Sequence, residues 1–270
     1  ESSTMFDLGR IHLETGRIHT VRPLSVDVPQ GRMVAVTGVS GSGKTTMVLE
    51  SLVPALRAGI EGEPLPAYVR TCDAPGIRRV CLIDSTPIGA NVRSTVATYS
   101  GVMDDLRRAF AQTTDAKARG LHAGDFSYNT GSLRCPTCDG TGTISLDVQF
   151  LPDVEIDCPD CHGSRYAQAA WEVRRHTTRG AGGEKDDYVS LPQLMEMTVD
   201  EALGRLGRLR RVAAKLQTLS DIGLGYLTLG EATPALSGGE AQRLKLASEM
   251  KRTQDDAVFV FDEPSIGLHP

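Results

Sequence analysis

The fold class follows from eight consecutive residues, Gly38-Val39-Ser40-Gly41-Ser42-Gly43-Lys44-Thr45. They fit the pattern G-x-x-x-x-G-K-[ST] and stand between the short apolar segment Met33–Thr37 and a helical pattern over Thr45–Leu56. Because Met33–Thr37 is apolar and partly β-branched, it predicts a buried parallel strand. A strand, this loop and a helix in that order predict a phosphate-binding loop in an α/β fold. A chance glycine-rich turn is the alternative.

The residue types in this loop suit the binding of a nucleoside triphosphate. Glycines without a Cβ let backbone N–H groups approach phosphate oxygens at a helix N-terminus. Lys44 supplies a positive charge to the β- and γ-phosphates, and Thr45 offers a hydroxyl to Mg²⁺. The sequence therefore predicts ATP and Mg²⁺ as ligands. The residues predicted to contact ATP are Gly38, Val39, Ser40, Gly41, Ser42, Gly43, Lys44, Thr45 and Thr46.

A wholly apolar segment near the end of the chain, Ala257–Phe261, predicts a strand that runs into Asp262 and Glu263. In a phosphate-loop ATPase, an acidic pair at this place has two uses. We expect Asp262 to hold the Mg²⁺ shell and Glu263 to orient and deprotonate the attacking water. A carboxylate pair after a strand is often only a solvated strand end, so this interpretation depends on the loop upstream.

A second glycine-rich segment, Leu236–Arg243, begins a predicted helix, and Ser237 and Glu240 have the spacing of a capping box. The simple interpretation is a well-capped helix. However, two consecutive glycines at a helix N-terminus cost stability unless an anion must approach the backbone. We therefore predict a second phosphate-contacting element, formed by Ser237, Gly238, Gly239, Glu240 and Gln242. With the phosphate loop and the acidic strand end, it resembles the ATP-binding cassette ATPases, in which this segment contacts a nucleotide held by an opposing cassette.

Two Cys-x-x-Cys pairs, Cys135/Cys138 and Cys158/Cys161, lie between these two elements. Their spacing is typical of a tetrahedral zinc site with four cysteine ligands. Glycines follow each pair, where the turn around sulfur needs unrestricted φ. We expect Zn²⁺ to fold this hairpin, whose role is then structural or extends to DNA contact. The first pair also matches the knuckle of the DnaJ chaperone zinc domain, but the cassette around it argues against a cochaperone.

Composition limits the remaining possibilities. The 270 residues are 40% hydrophobic and 23% charged, with a formal net charge of −5, which is ordinary for a globular protein and excludes a uniformly basic surface. No long apolar run or basic leader is present, so the sequence predicts a cytoplasmic protein that does not bind a membrane. Cys72 and Cys81 are expected to be free thiols in or near the core.

Periodicity predicts the other elements. Alternating apolar residues predict strands at Leu24–Val28 and from Ile144 to Phe150, and an apolar run predicts a buried strand at Val80–Asp84. A helix is expected from about Thr98 with Met103, Leu106 and Phe110 on one face, and another after the capping box that begins at Thr198. Residues 57–78 and 177–190 are expected to be loops.

Several further segments resemble the second ATPase half of the UvrA family, the damage-sensing subunits of bacterial nucleotide excision repair. They are Pro87–Gly89, Ala97–Val102, Phe150–Val154, Cys161–Tyr166, Leu216–Leu219, Gly223–Tyr226 and Leu236–Arg243. The resemblance implies ATP-modulated binding of distorted duplex DNA, loading of the UvrB helicase, two cassettes that face each other, and dimerisation of the full-length protein.

The chain departs from that family in three places. Ser85 replaces the usual glutamine before Pro87, Ser145 replaces a basic residue often found in the zinc hairpin, and the region around Gly180 is longer. These differences leave open a UvrA-like paralogue associated with drug self-resistance. A zinc-dependent DNA-binding module with a weak or vestigial ATPase also remains open. A transporter cassette is disfavoured, because it predicts a short interval without zinc between the two glycine-rich elements.

The predicted organisation is an ATP-binding cassette core with an inserted four-cysteine zinc hairpin and a helical signature subdomain. Residues 1–115 form the N-terminal part of the core, residues 116–235 the insertion, and residues 236–270 the signature helix with the acidic strand. We expect basic side chains on exposed faces to contact DNA phosphates, although charged faces of this kind are commonly just solvated. The candidates are Arg208, Arg211, Lys215, Arg174 and Arg175.

Overall fold

The computed structural model describes residues 4–89, 91–146, 154–177, 188–250 and 255–264. The chain divides into two compact units. The first comprises Glu1–Ile83 and Met250–Asp262, and the second comprises Asp84–Glu249 and Glu263–Pro270. This division differs from the three ranges expected from the sequence, which remain a prediction. Within the described residues, no helix combines the length and apolar character needed to cross a bilayer.

Helices and strands alternate in the mixed α/β manner expected from the sequence. The strands are β1 Arg10–Thr15, β2 Leu24–Pro29, β3 Val69–Asp73, β4 Arg79–Ile83, β5 Thr143–Leu146, β6 Val154–Asp157, β7 Arg174–His176, β8 Tyr188–Ser190 and β9 Ala257–Phe261. The α-helices are α1 Lys44–Met47, α2 Val53–Glu61, α3 Val96–Tyr99, α4 Val102–Phe110, α5 Thr114–Ala118, α6 Gln168–Trp171, α7 Leu191–Glu196, α8 Val199–Leu206, α9 Arg210–Leu219 and α10 Gly238–Glu249.

The first unit contains an antiparallel sheet in the order β2-β1-β3 and a parallel pair, β4 and β9. Ile11 and Leu13 of β1 alternate with more exposed neighbours, so both lie on the same face of the strand. They are buried because this face packs with Leu52 and Leu56 from the helix after the phosphate loop. The predicted strands at Leu24–Val28 and Val80–Asp84 are confirmed as β2 and β4. Cys81 is buried in this unit and Cys72 is half-buried, as expected for cysteines in or near the core.

The segment before the phosphate loop does not match its prediction. Met33–Thr37 forms no strand, and Met33 is 98% exposed. A strand is stable in a sheet only when its N–H and C=O groups pair with at least one neighbouring strand. Among the described strands, β4 and β9 pair only with each other, so no partner ladder holds Met33–Thr37. The expectation of a buried strand is therefore wrong for this structure.

The helix after the phosphate loop is confirmed and extends beyond its predicted end to Glu61, with a π-helical turn at Val48–Leu52 between α1 and α2. Pro54 has no N–H to donate to the carbonyl of Glu50. The hydroxyl of Tyr68 donates to that carbonyl instead. Tyr68 lies in the segment expected to be a loop, Arg57–Arg78, which instead holds the end of α2 and all of β3.

The second unit is built around a helical core. Leu106 and Phe110 of α4 pack with Leu216 and Leu219 of α9, and all four are fully buried. The predicted helix near Thr98 is present as two short helices, α3 and α4. The capping box at Thr198 is confirmed, since its hydroxyl accepts from the Glu201 N–H at 3.2 Å.

The strand predicted from Ile144 to Phe150 is confirmed as far as Leu146, and residues 147–150 lie outside the described residues. Strand β5 pairs with β6 in an antiparallel hairpin, so Thr143 lies opposite Asp157. Much of the loop expected at residues 177–190 also lies outside the described residues. Its end, Tyr188–Ser190, is strand β8 and not loop, because it pairs with β7.

Candidate functional site

The phosphate loop takes its shape from two glycines in the left-handed region, Gly41 at φ 77° and Gly43 at φ 92°. At Gly43 a Cβ would stand 2.7 Å from Cγ2 of Val21, so a larger residue fits neither the backbone conformation nor the space. Gly43 precedes the first residue of α1, and its carbonyl accepts from the Met47 N–H at 2.9 Å. The loop thus leads directly into a helix N-terminus, as the motif requires.

Lys44 turns back over its own loop. Its Nζ donates to the carbonyls of Gly38 at 2.8 Å and Val39 at 3.0 Å. Thr45 is exposed, and so are the loop residues from Gly38 to Ser42. The ammonium group is therefore held over a concave backbone that faces solvent, where it can exchange carbonyl oxygens for phosphate oxygens.

The acidic pair follows β9 as expected. The Asp262 N–H donates to the carbonyl of Ile83 at 3.1 Å, which continues the parallel β4–β9 ladder by one bond. Asp262 is half-buried, whereas Glu263 is exposed and has a φ of 45°. A left-handed backbone at a glutamate is uncommon and costs free energy, which marks this position as one with a specific requirement.

Ser237 and Glu240 form the predicted capping box at the start of α10. The Ser237 N–H donates to Glu240 Oε2 at 2.7 Å, and the Glu240 N–H donates to Ser237 Oγ at 3.4 Å. Tyr226 adds a third bond, since its hydroxyl donates to Glu240 Oε1 at 2.5 Å. Burial favours a higher pKa for Glu240, but the bonds from Tyr226 and Ser237 lower its pKa below the usual value. Glu240 therefore holds its charge at the helix N-terminus.

Of the predicted signature residues, Ser237 is exposed, Gly238 and Glu240 are half-buried, and Gly239 and Gln242 are buried. A Cβ on Gly238 would lie 3.1 Å from Cβ and 3.2 Å from the carbonyl oxygen of Ser85. Glycine at 238 lets the loop that follows β4 approach the helix closely. Ser85 thus packs beside the predicted signature element.

A lysine that the sequence did not single out joins the same loop to α10. Lys245 Nζ donates to the Thr86 carbonyl at 2.8 Å, to Thr86 Oγ1 at 2.9 Å and to the Asp84 carbonyl at 3.2 Å, and it forms a short ion pair with the Asp84 carboxylate. Burial favours a raised pKa for Asp84, but the bonds from Lys245 and Thr86 lower it. Lys245 stands seven residues after Gly238, a helical repeat that places both on one face.

The four cysteines predicted to bind metal come together. All are buried, and their Sγ atoms lie within 4.8 Å of one another. Cys135 Sγ is 3.8 Å from Cys158 Sγ, and Cys138 Sγ is 3.6 Å from Cys161 Sγ. A tetrahedral ion with sulfur ligands at about 2.3 Å separates its ligands by about 3.8 Å. The donor set and its spacing therefore fit one zinc ion.

The two knuckles have the same backbone turn. Asp139 and Gly140 follow Cys138 at φ 51° and 78°, and His162 and Gly163 follow Cys161 at 48° and 83°. A Cβ on Gly140 would stand 1.7 Å from the carbonyl oxygen of Tyr128, so only glycine fits there. His162 is exposed, as expected for a residue that is not a ligand.

The thiols differ in acidity. Burial raises the pKa of Cys135 and raises that of Cys161 to about 12. At Cys138 burial is outweighed by hydrogen bonds, including one from the Gly142 N–H, and the pKa falls to about 7. A bound dication replaces thiol protons, so it is the group that allows such buried thiols to ionise together.

The basic residues predicted to contact DNA are not equivalent. Arg208 and Arg211 are exposed near the start of α9, and Arg174 is exposed on β7. Arg175 is half-buried and donates to the Ala109 carbonyl at 2.8 Å. Lys215 pairs with the nearly buried Asp105 at 2.6 Å, so the expectation that it shares the exposed face is corrected. Arg210, which was not among the predicted candidates, is exposed beside Arg211.

Comparison with individual known proteins gives consistent matches, but comparison with family models does not. No protein-family model matches the chain. UvrABC system protein A of Streptococcus pyogenes serotype M3 is 42% identical to this chain, and the match covers 96% of this chain and 27% of that protein. UvrABC system protein A of Staphylococcus aureus (strain COL) is 41% identical over 263 residues, with the same coverage.

A solved structure agrees. UvrA2 from Deinococcus radiodurans superposes with a TM-score of 0.81 at 40% identity, covering 96% of this chain and 30% of that one. The chain thus spans about a quarter of the length of the curated relatives that it matches. The resemblance drawn from the motifs is confirmed: in sequence and in fold, the chain corresponds to a segment of UvrA.

Proposed function

We propose that this chain is the ATP-binding and ATP-hydrolysing half of a DNA-damage-recognition protein of nucleotide excision repair. The observation that carries the proposal is the 42% identity to UvrABC system protein A over 96% of the chain. The intact phosphate loop, signature residues and four clustered cysteines support it, since each is needed for a different part of that role. The proposed setting is cytoplasmic, with no membrane partner.

In this proposal the chain's residues divide the work on ATP. Lys44 Nζ leaves the carbonyls of Gly38 and Val39 and binds the β- and γ-phosphates, and the loop N–H groups orient them. Thr45 and Asp262 hold Mg²⁺, which neutralises phosphate charge when it is bound. Glu263 orients the attacking water and accepts its proton.

The signature element serves a nucleotide bound elsewhere. Ser237 and the N–H groups at the start of α10 are proposed to contact the γ-phosphate held by an opposing cassette, with Glu240 and Gln242 fixing the helix start. The proposed partners follow from this arrangement and from the relatives: the other ATPase half, a second copy of the full-length protein, damaged duplex DNA and the UvrB helicase. Zn²⁺ bound by Cys135, Cys138, Cys158 and Cys161 is proposed to order the hairpin.

Nucleotide binding is tested first with the chain itself. Titration calorimetry with ATP and Mg²⁺ should give binding to the wild type and at least about tenfold weaker binding to Lys44→Ala, because one charge-assisted phosphate contact is worth more than about 1.4 kcal/mol. Glu263→Gln is the matched control, since it should bind ATP normally and trap it when an opposing cassette is supplied. Equal affinity of Lys44→Ala and wild type would overturn the ATP site.

DNA recognition is tested by fluorescence anisotropy with a duplex carrying one bulky lesion and with the same duplex intact. Binding should weaken with salt, and the double variant Arg208→Gln/Arg211→Gln should reduce the slope of log K against log salt by about 2, since each lost phosphate contact changes it by about 1. Lys117→Gln, on the exposed side of α5, is the control. A flat salt dependence in the wild type would remove the phosphate-contact proposal.

A second candidate, a drug-resistance paralogue of UvrA, is favoured by one observation. Ser85 stands where the UvrA family usually has glutamine, and it packs against Gly238 of the signature. A serine cannot reach as far toward a phosphate as a glutamine. Ser85→Gln should therefore strengthen the coupling between ATP and lesion binding if this candidate is correct, whereas no change in that coupling would favour the repair role.

A further inference from the structure

One arginine lies in the interior beside the cysteine cluster. Arg165 is only 8% exposed and has a φ of 70°. Its own carbonyl accepts from the Cys135 N–H at 2.9 Å, which ties its backbone to a cysteine of the cluster. Buried arginines normally have a carboxylate partner, because an unpaired charge is costly in the interior. Within the described residues, no carboxylate forms an ion pair with Arg165, so its charge needs another explanation.

The contacts of the guanidinium point in two directions. Nη1 donates to the carbonyl of Val92 at 3.1 Å and lies 3.5 Å from the carbonyl of Gly140. Its Cζ stands 5.3 Å from the ring centre of Tyr128, a cation–π contact. Gly140 belongs to the turn that follows Cys138, whereas Val92 belongs to residues 91–95, which connect the turn at Pro87–Gly89 to α3. The side chain therefore bridges the first knuckle and this connecting segment.

A second arginine repeats the bridge from the opposite side. Arg93 Nη1 donates to the Asp139 carbonyl at 2.6 Å, and its Nη2 pairs with Asp139 Oδ2 at 3.2 Å. The Tyr128 hydroxyl donates to the Arg93 carbonyl at 2.9 Å. Asp139 and Gly140 take left-handed conformations in the turn that directly follows Cys138. The positions of both carbonyls therefore depend on the geometry of the cysteine cluster.

The metal–thiolate cluster is a source of negative charge that can compensate the Arg165 guanidinium. Four thiolates around a Zn²⁺ ion carry a formal charge of about −2, which is costly to bury without compensation. Burial lowers the pKa of the Arg165 guanidinium, and the groups that oppose this shift are Tyr128 and the thiols of Cys138 and Cys161. Groups around the ligands of a metal site commonly orient them and tune their affinity. A buried cation at this place has the right sign and position for that role.

We propose that Arg165 is a positioning residue that links the four-cysteine metal centre to residues 91–95: it compensates the charge of the metal–thiolate cluster and holds the Val92 carbonyl against the knuckle. This inference rests on the proposed zinc site. Loss of the metal frees Asp139 and Gly140 and removes the negative cluster that the Arg165 guanidinium compensates. Residues 91–95 are then released from the first knuckle. Metal occupancy thereby controls the order of the segment that leads from the Ser85 loop to α3.

Hydrogen exchange tests the link. The N–H groups of Arg93 and Ser94 are protected by Asn91, through its side chain at 2.9 Å and its carbonyl at 2.9 Å. In the wild-type chain, removal of zinc with a chelating dye should raise exchange in residues 91–96 by about tenfold or more, because local opening replaces a closed state. Zinc content is measured by elemental analysis on the same sample, and the dye gives the zinc affinity.

Two variants separate charge from contact. Arg165→Met removes both, so zinc affinity should fall about tenfold, exchange at 91–96 should be high with zinc bound, and chelation should add little. Arg165→Lys keeps the charge but not the forked donor, so zinc affinity should stay near that of the wild type while exchange rises. Arg134→Met is the control, since Arg134 pairs with Asp139 at 2.8 Å and donates to the Asn129 carbonyl rather than to that of Val92. It should retain the wild-type response to chelation.

The outcomes are distinguishable. Absence of zinc from the purified chain overturns the metal site and this link together. One zinc per chain with unchanged exchange at 91–96 after chelation overturns the link alone. An Arg165→Met variant that binds zinc as tightly as the wild type and responds fully to chelation also overturns it. If Arg165→Met does not fold, the comparison of Arg165→Lys with the wild type decides by the same exchange criterion.

Discussion

The phosphate loop of the first unit and the signature helix of the second are proposed to serve the same kind of ligand, yet they are held in opposite ways. The loop is exposed, the Lys44 ammonium donates to the loop carbonyls of Gly38 and Val39, and Val39 is 80% exposed. Helix α10 buries Gly239, Ala241 and Leu244, and Lys245 joins it to a neighbouring loop. Local backbone shapes one element, and tertiary contacts shape the other. Substitutions should therefore separate binding from stability.

The largest effect should come from the cysteine cluster, whose four side chains are all buried. In Cys158→Ser, one of four ligands is lost, which removes about a quarter of a metal-binding free energy of about 10–16 kcal/mol, or about 3 kcal/mol. The variant should bind less than one zinc per chain and show early proteolysis within residues 135–166, measured by elemental analysis and timed digestion.

Cys72→Ser is the control for this prediction, because Cys72 is a half-buried thiol of the first unit. It should keep the zinc content of the wild type. Equal zinc loss in both variants would show that the cluster does not hold the ion.

Lys245→Met should cost about 2 kcal/mol in the free energy of unfolding, because it leaves the half-buried Asp84 carboxylate without its ion pair. Urea unfolding measures the change. Lys117→Met, at an exposed lysine of α5, is expected to change stability by less than about 0.5 kcal/mol. A similar small change in Lys245→Met would mean that α10 does not depend on this contact.

The Asp84–Lys245 pair also predicts a pH dependence. Because its bonds lower the pKa of Asp84 in the folded state, the stability that they contribute is present above the unfolded pKa of about 3.9 and is lost as pH falls through the folded value. The difference in unfolding free energy between wild type and Asp84→Asn should therefore shrink as pH falls from about 5 to about 2. A difference independent of pH would exclude an ionised Asp84 as the partner.

Lys44→Ala should have the smallest effect on stability, less than about 0.5 kcal/mol, because its contacts are solvent-exposed bonds to its own loop. The same substitution is expected to reduce ATP affinity strongly. Thermal unfolding without nucleotide, followed by unfolding with ATP and Mg²⁺, measures both. A large loss of stability without nucleotide would contradict the contrast between the two elements.

Features encoded by short sequence patterns were predicted well. The phosphate loop, the Ser237–Glu240 capping box and the cysteine pairs each depend on a few residues whose spacing is fixed by backbone geometry or by ligand chemistry. The strand before Asp262 was also predicted correctly, and Ala257–Phe261 has β4 as its parallel neighbour. Most of the candidate site therefore follows from local rules.

Features that depend on distant partners were not predictable. Met33–Thr37 has a strand composition, but a strand also needs a neighbour, and its own residues do not specify one. Lys245 and Arg165 look like ordinary charged residues in sequence, and only folding places them beside Asp84 and beside the cysteine cluster. Lys215 has helical periodicity with Arg211, but its ion pair with Asp105 could not be read from that pattern.

The hydrogen bond from the Tyr68 hydroxyl to the Glu50 carbonyl bears on how two positions should change together among homologues. Pro54 has no N–H to donate to the Glu50 carbonyl, and the Tyr68 hydroxyl donates to that carbonyl instead. The effect of replacing one of these two residues should therefore depend on the other. Lineages that replace Tyr68 by phenylalanine should tend to lose Pro54 as well. These two positions should covary across an alignment of homologues, although they belong to different elements.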